Sequence, residues 1–150
     1  MTAMRYWYGT READEFVFNT EETGNVVYAG RGADRITDPF DVTTDDEIHG
    51  NAGADHIIST GGHDMLFGGK GGDLFEITVA TTQEGTNPLE TGSDDWFGYN
   101  VVIQGGKGYD RVEIHDGAYS EMSGYGDHIT IITRYGGTID IHNVEEVVFV

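Results

Sequence analysis

The stretch Gly50–Glu76, GNAGADHIISTGGHDMLFGGKGGDLFE, is three nonapeptides set end to end. Asp46, Asp55, Asp64 and Asp73 follow one another at intervals of nine, and an apolar residue stands two places after each: Ile48, Ile57, Leu66 and Phe75. Glycines fall in the same frame. GGKGGDLFE (68–76) and GGKGYDRVE (105–113) are the fullest copies, AGRGADRIT (29–37) and GNAGADHII (50–58) are close, and STGGHDMLF (59–67) keeps Gly62. A fixed short period of this kind marks a repeat architecture. The frame extends back through TEETGNVVY (20–28), with Asn25 and Val27, to GTREADEFV (9–17), with Asp14 and Phe16. The step is eleven from Asp14 to Asn25 and twelve from Asp34 to Asp46, so DPF (38–40) reads as a small bulged insertion.

Each nonapeptide divides into a bend and a strand. The first six residues, G-G-x-G-x-D, turn sharply because glycine accepts positive φ and lets carbonyls come close together. The last three form a short strand whose central apolar residue points inward. Nine residues then make half a coil and eighteen a whole one. Stacked coils bury one column of Phe16, Ile36, Ile57 and Phe75 and a facing column of Val27, Ile48 and Leu66.

The composition agrees with a repeat that needs cations. The chain has 150 residues, with 8 Lys+Arg against 27 Asp+Glu, a formal net charge of −19. Such a surface repels nucleic-acid phosphates and anionic membranes. No apolar run reaches the length of a membrane span. There are no cysteines, which excludes disulfides, thiolate metal sites and cysteine nucleophiles. Aromatics at 11% argue for a folded chain despite 23 glycines. Divalent cations reconcile the charge with folding, since hard cations take carboxylates and backbone carbonyls as ligands.

These nonapeptides resemble the calcium-binding repeats of the repeats-in-toxin (RTX) family. The resemblance covers residues 9–78 and one further copy at 103–114. It implies an all-β fold, a right-handed parallel β-roll with calcium between the turns of repeats n and n+2. Each turn would give its Asp and two carbonyls. The implied pairs are Asp34 with Asp55, Asp46 with Asp64, and Asp55 with Asp73; Asp14 with Asp34 and Asn25 with Asp46 are weaker. The carbonyls implied for the 55/73 site are those of Gly50, Ala52, Gly69 and Gly71. Those implied for the 34/55 site are Ala29, Arg31, Asn51 and Gly53. Asp110 has an intact turn, with Asp94 or Asp95 as its nearest candidate partner. The turn before Asp46, DVTTDD (41–46), has no glycine, so a strained or empty 46/64 site is expected there. About three to five calcium ions follow.

The remaining sequence is organised around this roll as a single domain. Residues 79–100 break the period and read as an inserted loop, whose Trp96, Phe97 and Tyr99 either fold back over the roll or stack on a sugar. Residues 101–150 carry the last repeat and capping strands. Alternation marks RVEIH (111–115), HITIITR (128–134) and TIDIH (138–142). The ending NVEEVVFV (143–150) is similar to a type I secretion signal, although it reads equally as a final strand. With no N-terminal signal peptide, the expectation is a bacterial extracellular protein exported without a leader. Tyr6, Trp7 and Tyr8 are expected to cap the first coil.

The six histidines show no metal-ligand spacing. His49, His56 and His63 are seven apart and fall at different repeat positions, so no zinc site is expected. G-x-S-x-G, H-E-x-x-H and phosphate-loop motifs are missing. The reading is a secreted, non-enzymatic module that folds on binding calcium. A calcium-dependent polysaccharide-binding or adhesion module of a larger secreted protein is the second reading. The candidate partners are then an extracellular polysaccharide or a fused catalytic or adhesin domain.

Overall fold

A computed structural model describes residues 4–18, 24–38, 45–60, 62–78, 100–115, 119–133 and 137–150. Ten strands alternate between two parallel arrays. Arg5–Tyr8 (β1), Asn25–Tyr28 (β3), Glu47–Ala52 (β5), Met65–Lys70 (β7) and Asn100–Lys107 (β9) lie in one sheet. Glu15–Val17 (β2), Arg35–Thr37 (β4), His56–Ser59 (β6), Leu74–Thr78 (β8) and Arg111–His115 (β10) lie in the other. Each coil gives one strand to each sheet, and neighbouring coils pair in parallel, so the chain is an open two-sheet β-roll. Among the described residues no helix is long and apolar enough to cross a membrane.

The alternation of side chains in these strands places the core. Val27, Ile48, Leu66 and Ile103 are fully buried in one sheet, and Ile36, Ile57, Phe75 and Val112 in the other. They are cross-strand neighbours, Ile48 with Leu66 and Ile57 with Phe75, so each buried column runs along the stack. Phe16, in the edge strand β2, is only half-buried. Several strands outrun three residues. β5 and β7 continue through Gly50–Ala52 and Gly68–Lys70, because the bends also pair from coil to coil.

The C-terminal strands follow from the alternation with small changes of bounds. Tyr119–Tyr125 (β11) and His128–Thr133 (β12) form an antiparallel hairpin, and Thr138–His142 (β13) joins β12 to β9. The last strand, Glu146–Phe149 (β14), pairs in parallel with β10. β13 and β14 therefore make a sixth coil, and the ending is a strand of the roll. Asn100, assigned to the inserted loop from sequence, opens β9. Residues 79–99, with Trp96, Phe97 and Tyr99, lie outside the described residues.

In-register stacking also orders the outer face. Tyr8, Tyr28, His49 and Phe67 are successive register partners. Their rings stack at centroid distances of 5.7, 4.7 and 4.6 Å. Trp7 lies tilted against Phe18, with ring centroids 5.7 Å apart, and its Nε1–H donates to Asn25 Oδ1 at 3.1 Å.

Candidate metal centre

The bends joining β1 to β2, β3 to β4, β5 to β6, β7 to β8 and β9 to β10 lie along one edge of the roll. Each ends in an aspartate: Asp14, Asp34, Asp55, Asp73 and Asp110. One hydrogen bond repeats along this row. The Asp14 N–H donates to Asp34 Oδ1 at 2.7 Å, Asp34 to Asp55 at 2.9 Å, Asp55 to Asp73 at 2.9 Å, and Asp73 to Asp110 at 2.8 Å. Asp110 therefore stands next to Asp73; Asp94 and Asp95, its candidate partners from the sequence, lie outside the described residues. Strand pairing of β8 with β10 carries the stack across the excursion between them. The row ends at Glu145, whose Oε2 accepts the Asp110 N–H at 2.7 Å. Nothing in the repeat frame marked Glu145, because the turn before it is shortened.

The second carboxylate oxygen of these aspartates is the chemically open one. Oδ2 of Asp34, Asp55, Asp73 and Asp110 is buried without a hydrogen-bond partner among the described residues. Such a group is costly unless a cation or donor meets it. Asp14 differs, since its Oδ2 accepts from the Thr10 N–H at 2.6 Å and the Thr10 hydroxyl at 2.9 Å. Burial raises the carboxyl of Asp73 to about 6; the Asp55 N–H opposes this, and the charges of Asp55 and Asp110 add to it. Burial likewise raises Asp34, Asp55 and Asp110.

The backbone supplies oxygen donors in alternating directions. A Cβ on Gly53 would lie 1.4 Å from the Gly32 carbonyl oxygen, and one on Gly71 would lie 1.5 Å from that of Gly53. With φ at 155° and 134°, these positions call for glycine on both counts. Asn51, at φ 74°, stands where the neighbouring turns have Gly30 and Gly69, and asparagine is among the residues best suited to that region. Carbonyls at the second and fourth turn positions face the following coil. Those at the first and third face the preceding one: Lys70 O accepts the Gly53 N–H at 2.8 Å and Ala52 O the Gly32 N–H at 3.0 Å.

This alternation shifts the carbonyl assignments by one interval. Asn51, Gly53, Gly68 and Lys70 face the interval between Asp55 and Asp73. Gly50 and Ala52 instead face the 34/55 interval, and Gly69 and Gly71 face the one toward Asp110. Ala29 faces back toward Gly9. Arg31, at the third position of its turn, belongs with Ala29. The correction has a simple cause: in an extended chain successive carbonyls point to opposite neighbours.

The opposite edge repeats the pattern less regularly. The Asn25 N–H and Nδ2–H donate to Asp46 Oδ1 at 2.5 and 3.0 Å, and the Asp46 N–H donates to Asp64 Oδ1 at 3.1 Å. Ser59 Oγ donates to Asp64 Oδ2 at 2.7 Å. Burial pushes the Asp64 carboxyl up to about 7; the Ser59 hydroxyl opposes this, and the Asp46 charge adds to it. Asp38, counted from sequence only as part of an insertion, is buried here as well. Asp38, Asp46 and Asp64 bring carboxylate oxygens within 4.8 Å of one another. Of the glycine-free turn, residues 41–44 lie outside the described residues.

Buried carboxylate oxygens between inward-facing carbonyls form an all-oxygen donor set suited to a hard divalent cation. Residues 42–75 match the RTX calcium-binding nonapeptide repeat in four copies. This segment is an RTX repeat array. RTX repeats bind Ca2+, and the two-sheet parallel architecture is consistent with an RTX β-roll. The matched residues hold Asp55 and Asp73 of one edge and Asp46 and Asp64 of the other, while the Asp14, Asp34 and Asp110 turns extend the row of Asp55 and Asp73 on either side. No curated protein matches the chain.

Proposed function

We propose that this RTX β-roll is a secreted, non-enzymatic module that folds when calcium enters the intervals between its stacked turns. The observation that carries the reading is the row of buried Oδ2 atoms at Asp34, Asp55, Asp73 and Asp110. The ligands we assign to the 55/73 ion are Asp55, Asp73 and the carbonyls of Asn51, Gly53, Gly68 and Lys70. Without the ion, desolvated carboxylates repel one another along both edges, and ordering the glycine turns costs conformational entropy. With it, one cation ties two coils together. A single-domain arrangement in which residues 101–150 cap the roll is part of this proposal. So is extracellular placement, where calcium is abundant.

A sugar-stacking role has less support. The faces of Tyr28 and His49 are covered by their neighbours in the ring ladder, and Trp7 is engaged by Phe18 and Asn25. Far-ultraviolet circular dichroism tests the main reading. The chelated chain is expected to lack β-structure, calcium to restore it, and magnesium to fail because it demands tight octahedral geometry. Equal spectra in calcium and chelator count against it.

A further inference from the structure

The outer face of the sheet holding β8 and β10 carries a second donor cluster, remote in chemistry from the turn carbonyls. Glu76 and Glu113 are register partners on adjacent parallel strands. Like charges placed directly opposite are destabilising unless something cationic lies between them. His115, two residues beyond Glu113 on the same face, joins them. One donor atom from each of Glu76, Glu113 and His115 lies within 4.8 Å of the other two. His115 Nε2 is buried without a hydrogen-bond partner among the described residues, at 3.8 Å from Glu113 Oε2.

Each glutamate has a basic neighbour beside one of its oxygens. Arg111 Nη2 lies 2.8 Å from Glu113 Oε1, while its Nη1 reaches Glu146 Oε2 at 3.3 Å. His56 Nε2 lies 3.1 Å from Glu76 Oε1, close but without hydrogen-bond alignment. Arg35 Nη1 is 2.7 Å from His56 Nδ1. Arginine can only donate, so Nδ1 accepts and the His56 proton sits on Nε2, facing the carboxylate. His56, with Nδ1 engaged by Arg35, lies beside the cluster and is not one of its three donors. Orienting contacts of this kind are typical around metal-ligating side chains.

We infer that Glu76, Glu113 and His115 form a zinc-class transition-metal site on the outer sheet face, separate from the calcium-binding turns. One imidazole with two carboxylates is a nitrogen–oxygen set that zinc accepts and that calcium, which takes oxygen ligands, does not favour. Tetrahedral zinc with bonds near 2.0–2.2 Å sets its donors about 3.4 Å apart, so small side-chain rotations close the cluster. Three protein ligands leave a fourth position for water.

The test is zinc chloride titrated calorimetrically into the full chain saturated with excess calcium, which keeps the turns occupied. One zinc-binding step is expected to persist in excess calcium. His115→Ala and Glu76→Gln should each weaken that step roughly tenfold or more. His128→Ala is the control for the other histidine cluster, where His128 and His142 stack with centroids 4.1 Å apart, and should leave the step unchanged. Glu76→Gln is nearly isosteric and removes one of two facing charges, so its calcium-induced fold should hold. Cobalt added to the unaltered protein gives an independent reading: tetrahedral absorption bands that zinc abolishes. Loss of the step in excess calcium, indifference to both variants, or absence of the cobalt bands overturns the site.

Discussion

Asp55 takes part in two intervals at once. Its Oδ1 accepts the Asp34 N–H, its own N–H donates to Asp73, and its Oδ2 has no hydrogen-bond partner among the described residues. Asp14 stands at the end of the row with Oδ2 satisfied by Thr10. Asp55→Asn is therefore expected to weaken calcium binding roughly tenfold, and Asp14→Asn by about twofold or less, because ligand charge tunes affinity. Calorimetric titrations that cannot tell the two variants apart would contradict the assignment. Protons report on the same groups. Burial raises Asp73 to about 6 and Asp64 to about 7, above the ordinary carboxylate value near 3.9. Between about pH 4 and 7 the calcium-free fold thus holds protons that the unfolded chain has released, and its stability falls as pH rises through that window. In chelator, any residual β-structure should therefore be greatest at about pH 4 and fade towards about pH 8, as followed by far-ultraviolet circular dichroism. A chelated chain equally unstructured across that range would show that the fold gains nothing from protons on these carboxyls.

The turn is the element on which stacking depends. Gly71 has φ 134°, and a Cβ there would meet the Gly53 carbonyl oxygen at 1.5 Å. Gly126, in the β11–β12 hairpin, has φ 59° but nothing within 4 Å of an added Cβ. Alanine at either position strains the backbone, by about 1–2 kcal/mol for the left-handed region. At Gly71 the clash is added, and the coils must part. Gly71→Ala should therefore lower the calcium-loaded melting temperature well beyond Gly126→Ala, or abolish the transition. Equal losses in thermal melts would mean that coil contact does not require glycine there. The strands themselves follow from alternation, as RVEIH and TIDIH became β10 and β13 with unchanged bounds. The bends are harder to read. Gly50–Ala52 and Gly68–Lys70 pair as strand because coil stacking supplies partners that a single repeat does not contain.

For the whole molecule the question is whether calcium acts by ligation or by screening a net charge of −19. Binding to the folded state alone adds about 2.7 kcal/mol per site at one hundred times Kd. Several linked intervals should make the melting temperature climb steeply with calcium. Sodium chloride at ~1 M shortens the Debye length to about 3 Å, which screens surface charge but supplies no ligand to buried oxygens. Thermal melts are expected to show a large rise in calcium and a small one in sodium chloride. Matching rises in the two salts would reduce the protein to an acidic β-roll without specific ion sites.

The period, the inward residues and the aspartates of the row were all legible in the chain, because each depends on local conformation: glycine's access to positive φ and the two-residue alternation of a strand. The pairing of Asp34, Asp55 and Asp73 follows from counting in that frame. Adjacency across long separations does not. Asp73 meets Asp110 over 37 residues of sequence. Loop closure costs grow only slowly with length, so the excursion between β8 and β9 breaks the repeat count but leaves the stack in register. Glu145 takes the last place in the row through strand pairing of β14 with β10, after a shortened turn that no nonapeptide frame contains. Which carbonyls face which interval, and how Glu76 comes to lie beside Glu113 and His115, are likewise products of register between coils. Tertiary structure decided these, because hydrogen bonding between parallel strands sets neighbours independently of their distance along the chain.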